Sequence, residues 1–417
     1  MQSLCEDRMM TGPTELPPLP DTRLAALLSE AEALQPATVA LRREIHAHPE
    51  QGLHLPHTQA AVRRALDGLP LEITDGKSTS ALTAVLRGEK DGPAVLLRGD
   101  MDALPLQEDT GLEFASEVDG TMHACGHDGH TAMLASAARL LAAHRHELAG
   151  SVVFMFQPGE EGYHGARHMI HEGVLDAAGT RAERAFGIHL LSHVESGLIT
   201  TRPGPLMASN DTFTILVTGK GGHGSSPHNA IDPVPAAAAM VGALQTMVTR
   251  RVSVFDPAVV SVTRIQAGTT TNIIPETAEV AGTIRTLSES TRALVKAELP
   301  KVCEAVGEAH GCRVLADIEP GYPVTVNDPD QALRVLDLAQ RVLGRAELMP
   351  DPIMGAEDFS YVLQRVPGAF AFLGACPPDL DPAQAPTNHS NRVRHDEGAF
   401  PKGVAMYAAF ALDALAG

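Results

Sequence analysis

The sequence predicts an α/β protein with a second, α+β unit set inside it, and three observations carry that expectation. Apolar runs of strand length alternate with longer segments of helical spacing in the first half of the chain and again near its end. Between Asp211 and Ile318 the order changes to strand, helix, strand, strand, helix, strand, the ferredoxin-like pattern, which forms a compact unit by itself. At 417 residues the chain also exceeds what one hydrophobic core usually organises. We therefore expect residues 1–208 and 319–417 to build one domain, with residues 209–318 inserted into it.

In chain order, a Pro-rich leader precedes two segments of helical spacing, residues 22–34 and 36–46, with Leu41 and Ile45 on one face. His46 and His48 follow beside Pro49 and can be read either as ligands or as loop histidines. Residues 81–87 and 94–98 read as neighbouring strands joined by a turn at 88–92, and the second is the continuous apolar run of a covered strand. Asp100 and Asp102 fall at its C-terminal end, where ligands of open α/β sheets usually bind. A helix is expected after Asp128, then strands at 151–156 and 185–190. In the inserted unit the strands are 212–218, 259–265, 278–287 and 312–318, and the helices 231–252 and 290–310. A helix at 331–342, a strand at 369–373 and a closing helix to Leu415 complete the chain.

Composition narrows the function. Hydrophobic residues make up 44% and charged residues 20%, as in ordinary soluble globular proteins. A formal net charge of -19, from 32 Lys and Arg against 51 Asp and Glu, argues against nucleic acid or an anionic membrane as partner. An anionic ligand would need specific Arg or His residues. Five scattered cysteines (Cys5, Cys125, Cys303, Cys312, Cys376) form no CxxC pair and suggest a reducing compartment. The N-terminus carries acidic residues and prolines where a signal peptide needs an apolar stretch, and the apolar run at 234–244 is about half of the roughly 20 residues that span a bilayer. The expected location is the cytoplasm.

The chemistry centres on residues 122–130, MHACGHDGH. Three histidines, a cysteine and an aspartate in so short a stretch are the side chains that divalent metals prefer. In an extended segment Cys125 and His127 would point to the same side, just ahead of a helix. The plain alternative is a His-rich helix start with an inert cysteine. After the strand at 151–156 comes QPGEEG, in which two adjacent carboxylates project differently, so that one can bind a metal while its neighbour stands over the attacking water. His189 ends another strand.

With RREIHAHPE, LLRGDMDALP, MHACGHDGH, FQPGEEG, GIHL, GKGGHGSSPH, NIIPE, GAEDF and the late His389 in order from Leu41 to about Asp396, the sequence resembles the M20 metallopeptidase family in its amidohydrolase branch. That branch includes N-acyl-amino-acid amidohydrolases, hippurate hydrolases and auxin-conjugate hydrolases. The resemblance implies a mixed-sheet catalytic domain with helices on both faces and two divalent metals per subunit, interrupted by a ferredoxin-like lid that also makes a homodimer. It implies that Cys125, His127, Glu161, His189 and His389 are metal ligands, with Cys125 bridging. Glu160 would be the general base and then proton donor to the leaving amine, and Asp102 a carboxylate orienting a ligand histidine whose identity stays open. His223 would steady the oxyanion, while Asn272 and Arg285 would bind a substrate α-carboxylate. His228 and Gly355 fall in the same motifs, beside the substrate.

Two stretches depart from the family pattern. LLSHVESG follows His189 where relatives usually have an aromatic and a proline, and His389 sits in Asn-His-Ser-Asn where His-Asn-Pro is common. The expected activity is hydrolysis of an N-acyl amino acid or related small conjugate. Zinc suits the thiolate best, with manganese, cobalt or nickel also admitted. A dipeptidase or carboxypeptidase of the same family is the nearest alternative. A non-catalytic binding protein would be expected to have lost Glu160 or a ligand, and a structural zinc site would want a closed shell of four ligands.

Overall fold

The computed structural model describes residues 19–416, so the leader and Cys5 lie outside the described residues. Helices α1 (Asp21–Ala47) and α2 (Pro56–Leu66) precede strands β1 (Leu71–Asp75), β2 (Leu82–Arg87) and β3 (Lys90–Asp100). Next come α3 (His127–Ala143), β4 (Ala149–Gln157), α4 (Gly165–His171), β5 (Ala182–Leu191), β6 (Ile199–Thr201) and β7 (Gly204–Met207). The chain then runs through β8 (Asp211–Thr218), β9 (Gly222–His223), α5 (Pro233–Arg251), β10 (Ala258–Ala267), β11 (Ile273–Ile274), β12 (Thr277–Thr286), α6 (Glu289–Ala309) and β13 (Arg313–Pro320). It closes with β14 (Thr325–Asn327), α7 (Pro329–Leu343), β15 (Ala346–Leu348), α8 (Ser360–Leu363), β16 (Gly368–Gly374) and α9 (Phe400–Ala414).

The large sheet has eight strands in the order β1-β2-β4-β3-β5-β16-β6-β15. β4, β3, β5 and β16 are parallel, and β2 joins β4 antiparallel. β2 and β3 are thus not neighbours, contrary to the sequence expectation, because β4 lies between them. Their connection hugs the start of that strand. A Cβ on Gly92 would sit 2.2 Å from the Ala149 carbonyl oxygen, a space only glycine leaves free.

Strand alternation splits the apolar residues between two cores. Val95, Leu97, Phe154 and Ile188 face α1, α3, α7 and α9, whereas Leu96, Val153, Met155 and Phe370 face α4 and α8. Helices thus cover both faces of a mixed sheet. The two helices expected before Ala47 are one. Pro36 deletes one backbone hydrogen bond inside α1, but Leu24, Leu27, Ala31, Leu41 and Ile45 are all buried, and this packing holds the helix through it.

The second sheet has the order β10-β12-β8-β13, every pair antiparallel, which is the ferredoxin-like arrangement. Phe213, Ile215, Val217, Met240, Leu244, Val280 and Leu299 form a core between the strands and α5 and α6. On the opposite face Leu216 and its register partner Leu315 are exposed. Among the described residues no helix is long and apolar enough to cross a membrane.

Candidate metal centre

β3, β4 and β5 are parallel neighbours, so the segments leaving β3 and β4 meet the end of β5 at one edge of the sheet. The Asp100–Asp102 segment leaves β3, Glu160 and Glu161 follow β4, and His189 lies near the end of β5. Cys125 comes from the loop entering α3. It is not in extended backbone as expected from the sequence: Gly126 adopts φ 88°, and His127 is already the first residue of α3, two residues earlier than Asp128 suggested. The left-handed turn, rather than strand alternation, brings Cys125 and His127 to the same place.

The Cys125 sulfur lies 3.3 Å from His189 Nε2 and 3.3 Å from His389 Nε2, and the latter is 3.1 Å from Glu161 Oε1. Donor atoms of Cys125, His127 and His189 fall within 4.8 Å of one another, as do those of Cys125, Glu161 and His389. Two ligand groups therefore share one sulfur. His127 Nδ1 meets the Asp102 carbonyl at 2.8 Å and His189 Nδ1 meets the Leu190 carbonyl at 2.8 Å, so each ring uses its Nδ1 proton on backbone and turns Nε2 to the cluster. His127 Nε2 is buried with no hydrogen-bond partner. A soft sulfur, imidazole nitrogens and a carboxylate, with one buried ring nitrogen left without a partner, fit two divalent cations.

His389 has φ 69°, in the left-handed region, and its amide donates to Ala124 O at 2.8 Å. Hydrogen bonds to Cys125 and then Glu161 push its imidazole up to about 10. A cation must displace that proton before Nε2 can act as a ligand.

Glu160 is buried, and its carboxyl is held well above the usual range by burial first, then by Glu357, Glu161 and Asp358. Asp102 anchors this loop: Oδ1 accepts from the Glu160 amide at 2.9 Å and Oδ2 from the Glu161 amide at 3.0 Å. The histidine it approaches is His127, at 3.5 Å from Oδ1, so its carboxylate fixes the two glutamates more tightly than the imidazole. Beneath them Arg98, fully buried, pairs with Asp100 at 2.6 Å, Glu357 at 2.7 Å and Asp358 at 3.3 Å. Asp100 Oδ1 accepts from His130 Nδ1 at 2.6 Å, and His130 Nε2 accepts from the Leu190 amide at 2.8 Å, which props β5 beside His189. Sequence reasoning assigned no role to Arg98, His130, Glu357 or Asp358. His130 stood in the dense motif three positions after His127, one helical turn along the same face, and that was the available signal.

The residues of the second unit lie elsewhere. His223 is exposed on β9, opposite Ile273, with Nδ1 accepting from the Ser225 amide at 3.1 Å. Asn272 is exposed beside it, its carbonyl accepting from the Gly224 amide at 2.9 Å. Arg285 on β12 is part-buried and donates to Ile284 O at 3.0 Å and to Thr283. Among the described residues no carboxylate pairs with it. His228 is exposed in a 3-10 turn, and Gly355 is exposed, where a Cβ would lie 3.4 Å from Met207 Cε. The structure thus groups the five expected ligands with Glu160 and Asp102, and groups His223 with Asn272. Among the described residues no hydrogen bond or ion pair joins the two groups.

A sheet edge that presents two groups of candidate metal ligands sharing a cysteine, with a buried glutamate alongside, has the layout of a metallohydrolase. Residues 96–413 match peptidase family M20/M25/M40, and the chain belongs to that family. It is a metal-dependent hydrolase of amide bonds. It is 40% identical to the N-acetylcysteine deacetylase of Bacillus subtilis over 82% of this chain and 89% of that one. It is 38% identical to thermostable carboxypeptidase 1 of Saccharolobus solfataricus over 93% of this chain and 97% of that one. Among solved structures, the Bacillus subtilis YXEP protein, a dinuclear metal binding peptidase, superposes with a TM-score of 0.80 at 35% identity, covering 92% of this chain and 99% of that one.

Proposed function

We propose that the protein hydrolyses N-acyl amino acids or related small conjugates, releasing a carboxylic acid and a free amino acid. The observation that supports this best is the pairing of the shared-sulfur ligand set with Glu160, which sits beside the ligands without being needed as one. Cys125, His127, Glu161, His189 and His389 would hold two divalent cations, zinc by preference for the sulfur. Bound there, the cations would polarise the scissile carbonyl and make a water acidic enough to be deprotonated near neutrality.

The protein's own groups then divide the work. Glu160 takes a proton from the attacking water and passes it to the leaving nitrogen. Asp102 keeps the glutamate pair in register. His223 steadies charge on the carbonyl oxygen, and Arg285 and Asn272 hold the substrate's α-carboxylate, with His228 and Gly355 beside it. Residues 209–318 act as a lid, and lids from two copies pair to make a homodimer; the exposed Leu216 and Leu315 supply apolar surface for it. Four buried cysteines, all free among the described residues, agree with a reducing, cytoplasmic location.

A carboxypeptidase or dipeptidase activity is the second reading, favoured by the thermostable carboxypeptidase relative. The test is a panel of N-acyl amino acids and dipeptides, assayed after reconstitution with zinc or manganese. Cleavage of acyl amino acids lacking any free amine supports the proposal; cleavage confined to peptides with a free amine overturns it in favour of the peptidase.

A further inference from the structure

His389, like Cys125 and Glu161, is carried by neither a helix nor a strand. It is held in a left-handed conformation on a loop, and its side chain is more than half exposed (55%). A non-glycine residue at this φ is strained and stays there only where its surroundings hold it. The preceding residue explains how it is held. Asn388 Nδ2 donates to the Cys125 carbonyl at 3.1 Å and to the Leu190 carbonyl at 2.9 Å. Its Oδ1 accepts from the Ser192 amide at 3.1 Å. The Ser192 hydroxyl shares its single proton between Pro386 O at 2.7 Å and Asn388 Oδ1 at 3.1 Å. The reverse orientation of the amide would set its oxygen against two carbonyl oxygens, so the network fixes which way it points.

One side chain therefore ties the backbone of Cys125 to the segment just after His189, and both to the residue adjoining His389. Only an amide does this: two donors for two carbonyls, and an acceptor for the Ser192 donors. We propose that Asn388 is the positioning residue that holds His389 in ligating geometry before any cation binds, and that it sets the affinity of the Cys125–Glu161–His389 half of the centre. The proposal rests on the two-cation reading above. His127 is anchored at the Asp102 carbonyl, which Asn388 does not touch, and His189 bonds the Leu190 carbonyl through its own Nδ1, so the other half depends on Asn388 less than the half that contains the adjoining His389.

The experiment is titration of the metal-free protein with cobalt(II), following the near-ultraviolet sulfur-to-cobalt charge-transfer band and competing each site against a chelator. Unaltered protein should take two ions. Asn388→Leu, close in size but without polar atoms, should weaken one site by roughly 10- to 100-fold, the cost typical of losing an outer partner of a ligand. The second site should change little, and the metal-free protein should melt within a few degrees of the unaltered one. Ser192→Ala, which keeps Asn388 but removes one donor, should weaken the same site by a smaller factor and gives the same reading should Asn388→Leu not fold. Unchanged affinity at both sites overturns the proposal. Equal weakening of both sites, in step with a falling melting temperature, also overturns it, because the residue would then only support the fold. Failure of the unaltered protein to bind two cobalt ions would instead sink the two-cation reading itself.

Discussion

The Tyr322 hydroxyl donates to the carbonyl oxygen of Glu160 and accepts from the amide of Gly162 at 2.7 Å. One phenol thus bridges both ends of the turn that carries the two glutamates. Tyr322 comes two residues after β13, and its own carbonyl accepts from the Asn210 amide at 3.0 Å, next to the start of β8. The place where the chain enters and leaves the ferredoxin-like unit is therefore bonded to the backbone of the proposed general base. Burial keeps the phenol far above its ordinary pKa, so it remains a donor at every working pH.

Tyr322→Phe should keep both cations and lower kcat about fivefold, with KM changed less, because a hydrogen bond of about 1 kcal/mol to the positioning of Glu160 is lost while the substrate anchors stay. Steady-state kinetics beside metal analysis checks it. Unchanged kcat would mean that the loop is held adequately by Asp102 alone.

Glu160→Gln should retain its metals and lose on the order of 10³-fold or more in rate, since it removes proton transfer and leaves Glu161 as ligand. A Gln variant with full turnover would reverse the roles of the two neighbouring glutamates.

Cation uptake should release protons. The metal-free His389 is protonated through the neutral range, with its pKa raised from 6.5 to about 10. Its stabilising pairing is fully present below the unfolded value and is lost as pH rises through about 10. Between these limits a ligating cation must expel the proton, so affinity should climb with pH, by up to tenfold per unit for this group. Calorimetry in buffers of different ionisation enthalpy counts the protons. Cys125→Ala should lower metal content and activity together; full occupancy with normal turnover would remove Cys125 from the ligand set.

Arg285 has no carboxylate partner among the described residues, and the protein as a whole is acidic. Substrates should accordingly need a free α-carboxylate. Amidation of that group should raise KM sharply, and Arg285→Ala should remove most of the preference for the acid. Equal cleavage of acid and amide would contradict the anchor.

His223 is exposed on β9, and among the described residues its ring bonds only to Ser225. If it serves the centre of a second copy, Glu160→Gln and His223→Ala should each be nearly inactive alone and recover activity as mixed dimers. One site of each mixed dimer then combines an intact Glu160 with an intact His223. Verified mixed dimers without activity would confine His223 to its own subunit or take it out of the reaction.

The grouping of the candidate centre was legible because most of its expected ligands lie in short, dense motifs: Cys125 and His127 two apart, Glu160 and Glu161 adjacent, His189 at a strand end. What surrounds them was not. Arg98 occupies an apolar strand, and nothing local announces that it will be buried against Asp100, Glu357 and Asp358, the last two lying 259 and 260 residues away. The insertion of β4 between β2 and β3 was hidden for the same reason, because pairing across a crossover leaves no mark on either strand. α2, with Pro56 at its start, and the part-exposed β1 were missed: α2 buries one helical face, but of its four buried residues only Val62 and Leu66 are large and apolar. The two departures from the family pattern proved to be one feature: Ser192 of the first hydrogen-bonds Asn388 of the second.

Cys125 and His389 are 264 residues apart in the chain and 3.3 Å apart in space. A contact of that separation is expected to close only after the parallel crossovers and the final loop are in place. Cations that need this half of the centre are therefore expected to bind late in folding. They should leave the refolding rate unchanged and slow unfolding instead, acting as a lock on the finished molecule whose loss shortens its lifetime rather than preventing its formation.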